Sequence, residues 1–228
     1  RQNGKWVVLA STSYRVAEYR PPEFLVTVTS DSAPRFPGDS ATAAVEARYL
    51  FGAPMARAAM SWAARQRTID FWELSIPNTD GFFFGENGWW WEEQNQGPAV
   101  TVIGQGVDTL DNTGRSTVKV GLVTPEKGKP ARATIEASIT DVNRQAVGSA
   151  TSFIVHPSSF YIGARPLGDS YFMTAGKPQS VAVIAVRPTG ERVSGVKVTG
   201  TVVRKEWHQV HRSRGGYSEV YGEWVSDT

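Results

Sequence analysis

Ala41-Thr42-Ala43-Ala44-Val45-Glu46-Ala47-Arg48-Tyr49 is the stretch whose reading sets the fold class. Ala41, Ala43, Val45, Ala47 and Tyr49 alternate with Thr42, Ala44, Glu46 and Arg48. A pleated strand sends successive side chains to opposite faces, so this spacing predicts a strand. The same period of two returns in Val118, Val120 and Leu122 against Thr117, Lys119 and Gly121. It returns again in Ile135, Ala137 and Ile139 against Thr134, Glu136, Ser138 and Thr140, and in Val196, Val198 and Val202 against Lys197, Thr199 and Thr201. Each run offers one apolar face to a core and one polar face to water, as a half-covered antiparallel sheet requires.

Turn chemistry separates the runs. Pro37-Gly38-Asp39, Phe51-Gly52-Ala53-Pro54, Asp111-Asn112-Thr113-Gly114, Gly128-Lys129-Pro130 and Pro188-Thr189-Gly190 carry residues that supply a positive or a fixed φ. Short alternating strands broken in this way every ~8–12 residues predict an all-β chain of tandem antiparallel β-sandwiches. Ala53 to Arg67 is rich in Ala, but its capping is poor for a helix. The Ala58, Met60, Trp62, Ala64 alternation assigns it to a strand.

The chain has 228 residues, enough at roughly 100–200 residues per domain for one or two complete domains and pieces of others. With 24 Lys plus Arg against 22 Asp plus Glu, and no basic block of five, it lacks the charge footprint of a nucleic-acid binder. The absence of cysteine excludes disulfides, thiol nucleophiles, thiolate zinc and iron–sulfur clusters. No run approaches the ~18 apolar residues of a membrane span. The opening Arg1-Gln2-Asn3-Gly4-Lys5 has neither methionine nor a signal-peptide core, and reads as a piece of something longer.

A weak internal repeat organises the chain. Glu23-Phe24-Leu25-Val26, Arg35-Phe36-Pro37-Gly38 and Tyr49 to Met55 form one series. Ser159-Phe160-Tyr161-Ile162, Tyr171 to Gly176 and Val186 to Val193 form another. Phe160 stands 136 positions after Phe24, and Gly190 stands 138 after Gly52. Joints are expected at Tyr19-Arg20-Pro21-Pro22 and His156-Pro157-Ser158-Ser159, where proline fixes φ and holds its predecessor extended. The expected domains are residues 1–20, closing strands of a preceding sandwich; 21–156, a sandwich with an aromatic-rich insertion near 81–93; and 157–228, the start of a further sandwich.

The run Tyr14-Arg15-Val16-Ala17-Glu18-Tyr19-Arg20-Pro21-Pro22-Glu23-Phe24-Leu25-Val26 resembles a junction between macroglobulin-like domains of the alpha-2-macroglobulin family. Tyr49, Phe51, Gly52 and Pro54 stand where that family has an aromatic-rich turn, and the double proline is similar to its bacterial branch. The resemblance implies structural scaffold domains of a broad-spectrum protease inhibitor that traps a protease after bait cleavage. It implies target proteases as partners through the full-length protein, and other domains of the same parent chain as immediate neighbours. It also implies a periplasmic parent anchored to the inner membrane as a lipoprotein, with membrane contact only through a lipid anchor outside this fragment. Without cysteine, the fragment cannot contain the thioester of that family.

Candidate chemistry is sparse. His208 and His211 lack the i,i+4 spacing of a helical zinc motif, and on a strand they point to opposite faces. His156, before Pro157, reads as structural. Gly-Asp-Ser at 38–40 and 168–170 reads as turns in which Asp and Ser bond local backbone. Glu92-Glu93 would point apart on a strand, which disfavours a glycosidase pair. Gly104-Gln105-Gly106 lacks the third glycine and the helix of a phosphate loop, and reads as a turn or bulge. No catalytic residue, metal or cofactor is expected, and the chain is expected not to be an enzyme.

The unusual segment is Gly81 to Glu93, with Phe82, Phe83, Phe84, Trp89, Trp90 and Trp91 between glycines. Aromatics bury much area at low rotamer cost, so these six are candidate interface residues. The competing reading packs them on their own sandwich as a hairpin. A different function class, a tandem adhesin or carbohydrate-binding module, would use the same Trp-rich hairpin as its platform.

Overall fold

In a computed structural model of the chain, residues 21, 23–85, 100–125, 128–168 and 176–201 are described in full, and 204–214 and 217–227 by their backbone. The strands are β1 (Phe24–Ser30), β2 (Ser40–Tyr49), β3 (Ala59–Thr68), β4 (Phe83–Phe84), β5 (Val100–Thr109), β6 (Arg115–Gly121), β7 (Ala131–Thr140), β8 (Ala146–Val155), β9 (Tyr161–Pro166), β10 (Val181–Val186), β11 (Arg204–Arg214) and β12 (Tyr217–Asp227). A single 3₁₀ turn, Phe71–Glu73, is the one helical element among the described residues. Residues up to Arg192 form one compact unit and Val193–Thr228 a second, in which β11 and β12 pair antiparallel.

Within the first unit, a three-stranded sheet (β1-β2-β6) faces a four-stranded one (β5-β3-β7-β8), and every neighbouring pair of strands is antiparallel. Phe24, Val26 and Val28, then Ala41, Ala43, Val45 and Ala47, then Val118 and Val120 turn inward from one sheet. Met60 and Ala64, then Ala131, Ala133, Ile135, Ala137 and Ile139 meet them from the other. Burying each large aliphatic here contributes about 1.5–3 kcal/mol. The inward phase is the one that the alternation of Ala41 to Tyr49 and of Ile135 to Ile139 predicts.

One polar side chain sits in this core. Gln66 is buried, donates from Nε2 to the Val123 carbonyl at 2.8 Å and accepts the Val123 N–H at 3.3 Å. It therefore works as a piece of extra backbone that ties β3 to the segment following β6. On β5, Gly104 and Gly106 lie against the Trp62 indole, where an added Cβ would come within 3.1 and 3.0 Å of the ring. The register slips between Ala64 and Arg65 opposite this point, so the Gly104-Gln105-Gly106 stretch is strand beside a bulge and not a turn.

Two strand assignments are adjusted. The Ala53–Arg67 strand starts only at Ala59, because Met55 to Ala58 form a turn with Arg57 at φ 55°. The Val196–Val202 run is not a strand over 196–201, where no strand partner is present among the described residues; β11 begins at Arg204. Alternation gives a strand its two faces but cannot supply a hydrogen-bonding neighbour, and here Val198 stays exposed.

All five quoted turn glycines have positive φ: Gly38, Gly52, Gly114, Gly128 and Gly190. They differ in what surrounds them. At Gly114 an added Cβ would lie 2.6 Å from the Ala47 carbonyl oxygen, whereas nothing lies within 4 Å of the same point at Gly38. Gly114→Ala is therefore expected to destabilise the chain by about 2–4 kcal/mol, from left-handed strain plus overpacking. Gly38→Ala should cost only about 1 kcal/mol of strain. Urea unfolding of both variants checks the ordering.

Candidate functional site

The chain between β3 and β5 does not return directly to the sandwich. After Thr68, Ile69 is buried, its N–H donating to the Pro130 carbonyl at 2.9 Å, and the chain then runs outward through the 3₁₀ turn. A bidentate pair fixes that departure: Arg67 donates from Nη1 and Nη2 to the two Glu73 oxygens, at 3.1 and 2.6 Å. The Arg67 guanidinium holds the Glu73 carboxyl below its ordinary value, and Glu73 in turn raises Arg67. Both partners are partly exposed, so this pair directs the segment more than it stabilises it.

Beyond the turn, β4 adds to the edge of β9, giving a sheet of order β10-β9-β4 with Phe83 opposite Ala164 and Phe84 opposite Gly163. A second apolar cluster forms there. Ile76, Tyr161 and Val186 are its buried members, with Phe71, Leu74, Phe84 and Ile184 packed around them. Tyr161 is the hub. Its ring meets Phe71 edge-on at 6.2 Å, Phe84 at 6.1 Å and His156 at 5.8 Å, the geometry that aromatic quadrupoles favour.

His156 links this cluster to the first core. It directly follows the buried Val155 of β8, and its own N–H donates to the Arg35 carbonyl at 2.8 Å. Its ring lies 6.1 Å from Phe36, and its Nδ1 shares a 2.7 Å hydrogen bond with the Tyr161 hydroxyl. Both groups are buried. Burial lowers the imidazole from its ordinary 6.5 to about 4 and raises the Tyr161 hydroxyl, so both are neutral near pH 7.

Glycines make room for the rings. At Gly163 an added Cβ would lie 2.7 Å from Phe84 Cε1, and at Gly85 it would lie 2.1 Å from Phe71 Cδ2. Gly190, at φ 89°, seats its turn on Pro77, with the Pro77 carbonyl oxygen 2.7 Å from where a Cβ would be. Arg192 donates to the Asn78 carbonyl at 2.6 Å. The guanidinium carbons of Arg165 and Arg192 lie 4.8 and 5.5 Å from the centre of the Phe82 ring.

Of the candidate interface residues, Phe82 and Phe84 are half-buried in this clasp and Phe83 is exposed. Trp89, Trp90 and Trp91 lie outside the described residues, as do Glu92, Glu93, the Asp169-Ser170 turn and residues 1–20 with Pro22. His208 and His211 fall on β11 opposite Glu223 and Val220 in register. Asp39 accepts the Phe36 N–H at 2.8 Å, the local turn bond anticipated for the first Gly-Asp-Ser. Among the described residues no cluster of three metal-ligating side chains occurs. Sequence reading did not pick out Tyr161. The signal in the sequence was two hydrogen-bonding rings, His156 and Tyr161, bracketing Pro157.

The clasp makes stability respond to mild acid. The folded chain keeps His156 neutral down to about pH 4, whereas the unfolded chain protonates it near 6.5. Below 6.5 the unfolded state therefore binds more protons, and stability, full above that pH, falls until about pH 4, by about 3 kcal/mol in all. Glu73 acts in the same direction, but only below its ordinary 4.5. His156→Gln should flatten the slope between pH 6.5 and 4.5, and urea midpoints across that range check it.

Residues 24–157 match the family described as the bacterial alpha-2-macroglobulin MG5 domain. An alpha-2-macroglobulin homolog of Nostoc sp. is 30% identical over 196 residues, which are 86% of this chain but 10% of the relative. In fold the chain is similar to Escherichia coli alpha-2-macroglobulin in its native conformation (TM-score 0.56, 15% identity, 92% of this chain and 14% of the other). It is also similar to the E. coli protein activated by porcine elastase (0.58, 19%, 92% and 18%) and to Salmonella alpha-2-macroglobulin reacted with methylamine (0.57, 18%, 92% and 14%). The chain thus spans about a tenth of the curated relative's length. With an all-β antiparallel sandwich in place and the family match covering most of it, the chain belongs to the bacterial alpha-2-macroglobulin family.

Proposed function

We propose that this chain is a girder of a protease-trapping protein: sandwich modules without a reactive centre, which transmit movement after a protease cuts a bait region elsewhere in the parent. Residues 21–156 form one module and residues 157–228 begin the next, with residues 1–20 closing the one before. The parent acts on proteases from an extracytoplasmic, periplasmic position on a lipid anchor outside this fragment. The single observation that supports the reading is the His156–Tyr161 seam, where a buried hydrogen-bonded ring pair, a proline step and the β4 pairing meet just after the last strand of the sandwich.

A trap works by coupling one cleavage to a large rearrangement, and domains that move as rigid bodies about few joints transmit it best. Compact sandwiches clasped by a loop suit that task. The carbohydrate-platform reading would rest on Trp89, Trp90 and Trp91, which lie outside the described residues; of the phenylalanines beside them, Phe82 and Phe84 are held by protein and Phe83 is exposed.

The parent protein mixed with elastase should leave hydrolysis of a small chromogenic peptide intact while blocking digestion of a large protein substrate. The 228-residue chain alone should alter neither reaction. Unimpeded digestion of the protein substrate in the presence of the parent, or inhibition by the isolated chain, overturns the proposal.

A further inference from the structure

The strand pairs on either side of the His156–Pro157 step are built alike. In β1–β2, Leu25 pairs with Arg48; in β9–β10, Tyr161 pairs with Val186. Tyr161 stands 136 positions after Leu25 and Val186 stands 138 after Arg48, the same displacements that relate Phe160 to Phe24 and Gly190 to Gly52. Pro157 likewise stands 136 after Pro21. The turns share most of their bonds. Gly52 N–H donates to the Tyr49 carbonyl and Gly190 N–H to that of Arg187, while Arg48 bridges Pro54 as Val186 bridges Arg192. Gly52 and Gly190 have φ of 96° and 89°.

The two equivalent ends differ in their cover: Tyr161 and Val186 are buried, whereas Leu25 is exposed. Around Gly190 the chain at Pro77 packs on the turn glycine, leaving Tyr161 5% and Val186 0% exposed, while Pro188 is half-buried and Thr189 stays exposed. Around Gly52 an added Cβ would meet nothing within 4 Å, and Leu25, Leu50 and Phe51 are 61%, 72% and 81% exposed. Phe51 is held there in order, stacked on Tyr49 at 5.1 Å and 8°, and the Leu50 N–H is tied to the Glu23 carbonyl at 2.9 Å. The pairing of Phe24 with Tyr49 brings Leu25 beside this turn, and contiguous exposed apolar surface of this kind marks contact sites.

We infer that the end formed by Leu25, Leu50 and Phe51 seats an apolar loop of the sandwich that precedes this one in the parent chain, as β9–β10 seats the Phe71–Phe84 loop of this one. The inference rests on the tandem-module reading above, and on a curated relative of which this chain is only 10%. The seat is narrower than its counterpart. Where β10 offers Ile184 and Val186, β2 offers Glu46 and Arg48, and Arg115 joins them in a cluster of ion pairs. That polar border confines the contact to the turn and to Leu25, so the occupant is an apolar tip with a polar flank.

Hydroxyl-radical footprinting of the parent protein and of the 228-residue chain tests it. Oxidation of Leu25, Leu50 and Phe51 should fall about threefold or more in the parent, since interface cores exclude water, while Tyr161 stays low in both. A photo-crosslinking benzoylphenylalanine placed at Phe51 in the parent should join to the preceding sandwich. Equal oxidation in the two proteins, or crosslinks to a downstream domain or a second copy, overturns the inference. A parent that crosslinks as expected but traps no protease removes the proposed function and leaves this seat standing.

Discussion

The hydrogen bond between His156 and Tyr161 is the contact on which the rest of this chain's architecture depends. It joins the residue that follows β8, the last strand of the sandwich, to the first residue of β9, across only a handful of residues containing Pro157. Both partners are buried, and a buried donor or acceptor left alone costs about 1–3 kcal/mol. The pair is therefore kept only while the end of β8 and the start of β9 hold their places. Loss of either neighbour exposes a group that the other was built to satisfy, so the contact sets orientation in a way that apolar packing alone does not.

Rings pack this seam, glycines give them room, and charges direct the loop that meets it. Phe71, Phe84 and His156 surround Tyr161 edge-on, each such pair contributing about 0.5–1.5 kcal/mol beyond its buried area. Gly163 and Gly85 are tolerated in the backbone because a β-carbon at either would collide with one of those rings. Arg67 with Glu73 aims the loop outward, and Arg165 and Arg192 hold Phe82 at its far end. Exposed charge pairs of this kind contribute little stability. Their guanidinium geometry still selects one path for the loop.

Much of the sandwich was legible in the sequence because its information is local. Ala41 to Tyr49 and Ile135 to Ile139 carry their inward phase in the alternation itself, and each turn glycine declared its positive φ by its company of Pro, Asn or Asp. The loop that packs on this seam was not legible, because Phe71 and Phe84 lie about eighty to ninety residues from the β9 positions they meet, and no period links them. β4 is two residues long, and Phe84 reaches Gly163 only after a fold exists to bring them together. A helix or strand pattern needs several residues to register, so a two-residue strand leaves no periodic trace. The opposite failure occurred at Val196 to Thr201, where alternation is present but no neighbouring strand answers it among the described residues.

The internal repeat explains why one sequence can contain both a covered and an uncovered version of the same turn. Displacements of 136 and 138 preserve the β-pairing and the glycine turn, which depend on backbone geometry. They do not preserve the outer side chains, which change from Leu25, Glu46 and Arg48 to Tyr161, Ile184 and Val186. Backbone pairing tolerates such exchange because hydrogen bonds in the ladder are blind to side chains, whereas the outer face is free to vary with whatever lies against it. A tandem array can thus keep one strand-turn-strand frame at every joint and tune each joint separately. Two apolar pairing positions in place of two charged ones let the Phe71–Phe84 loop pack on β9–β10, and the ion pairs of Glu46 with Arg48 and Arg115 leave a smaller apolar surface beside Gly52.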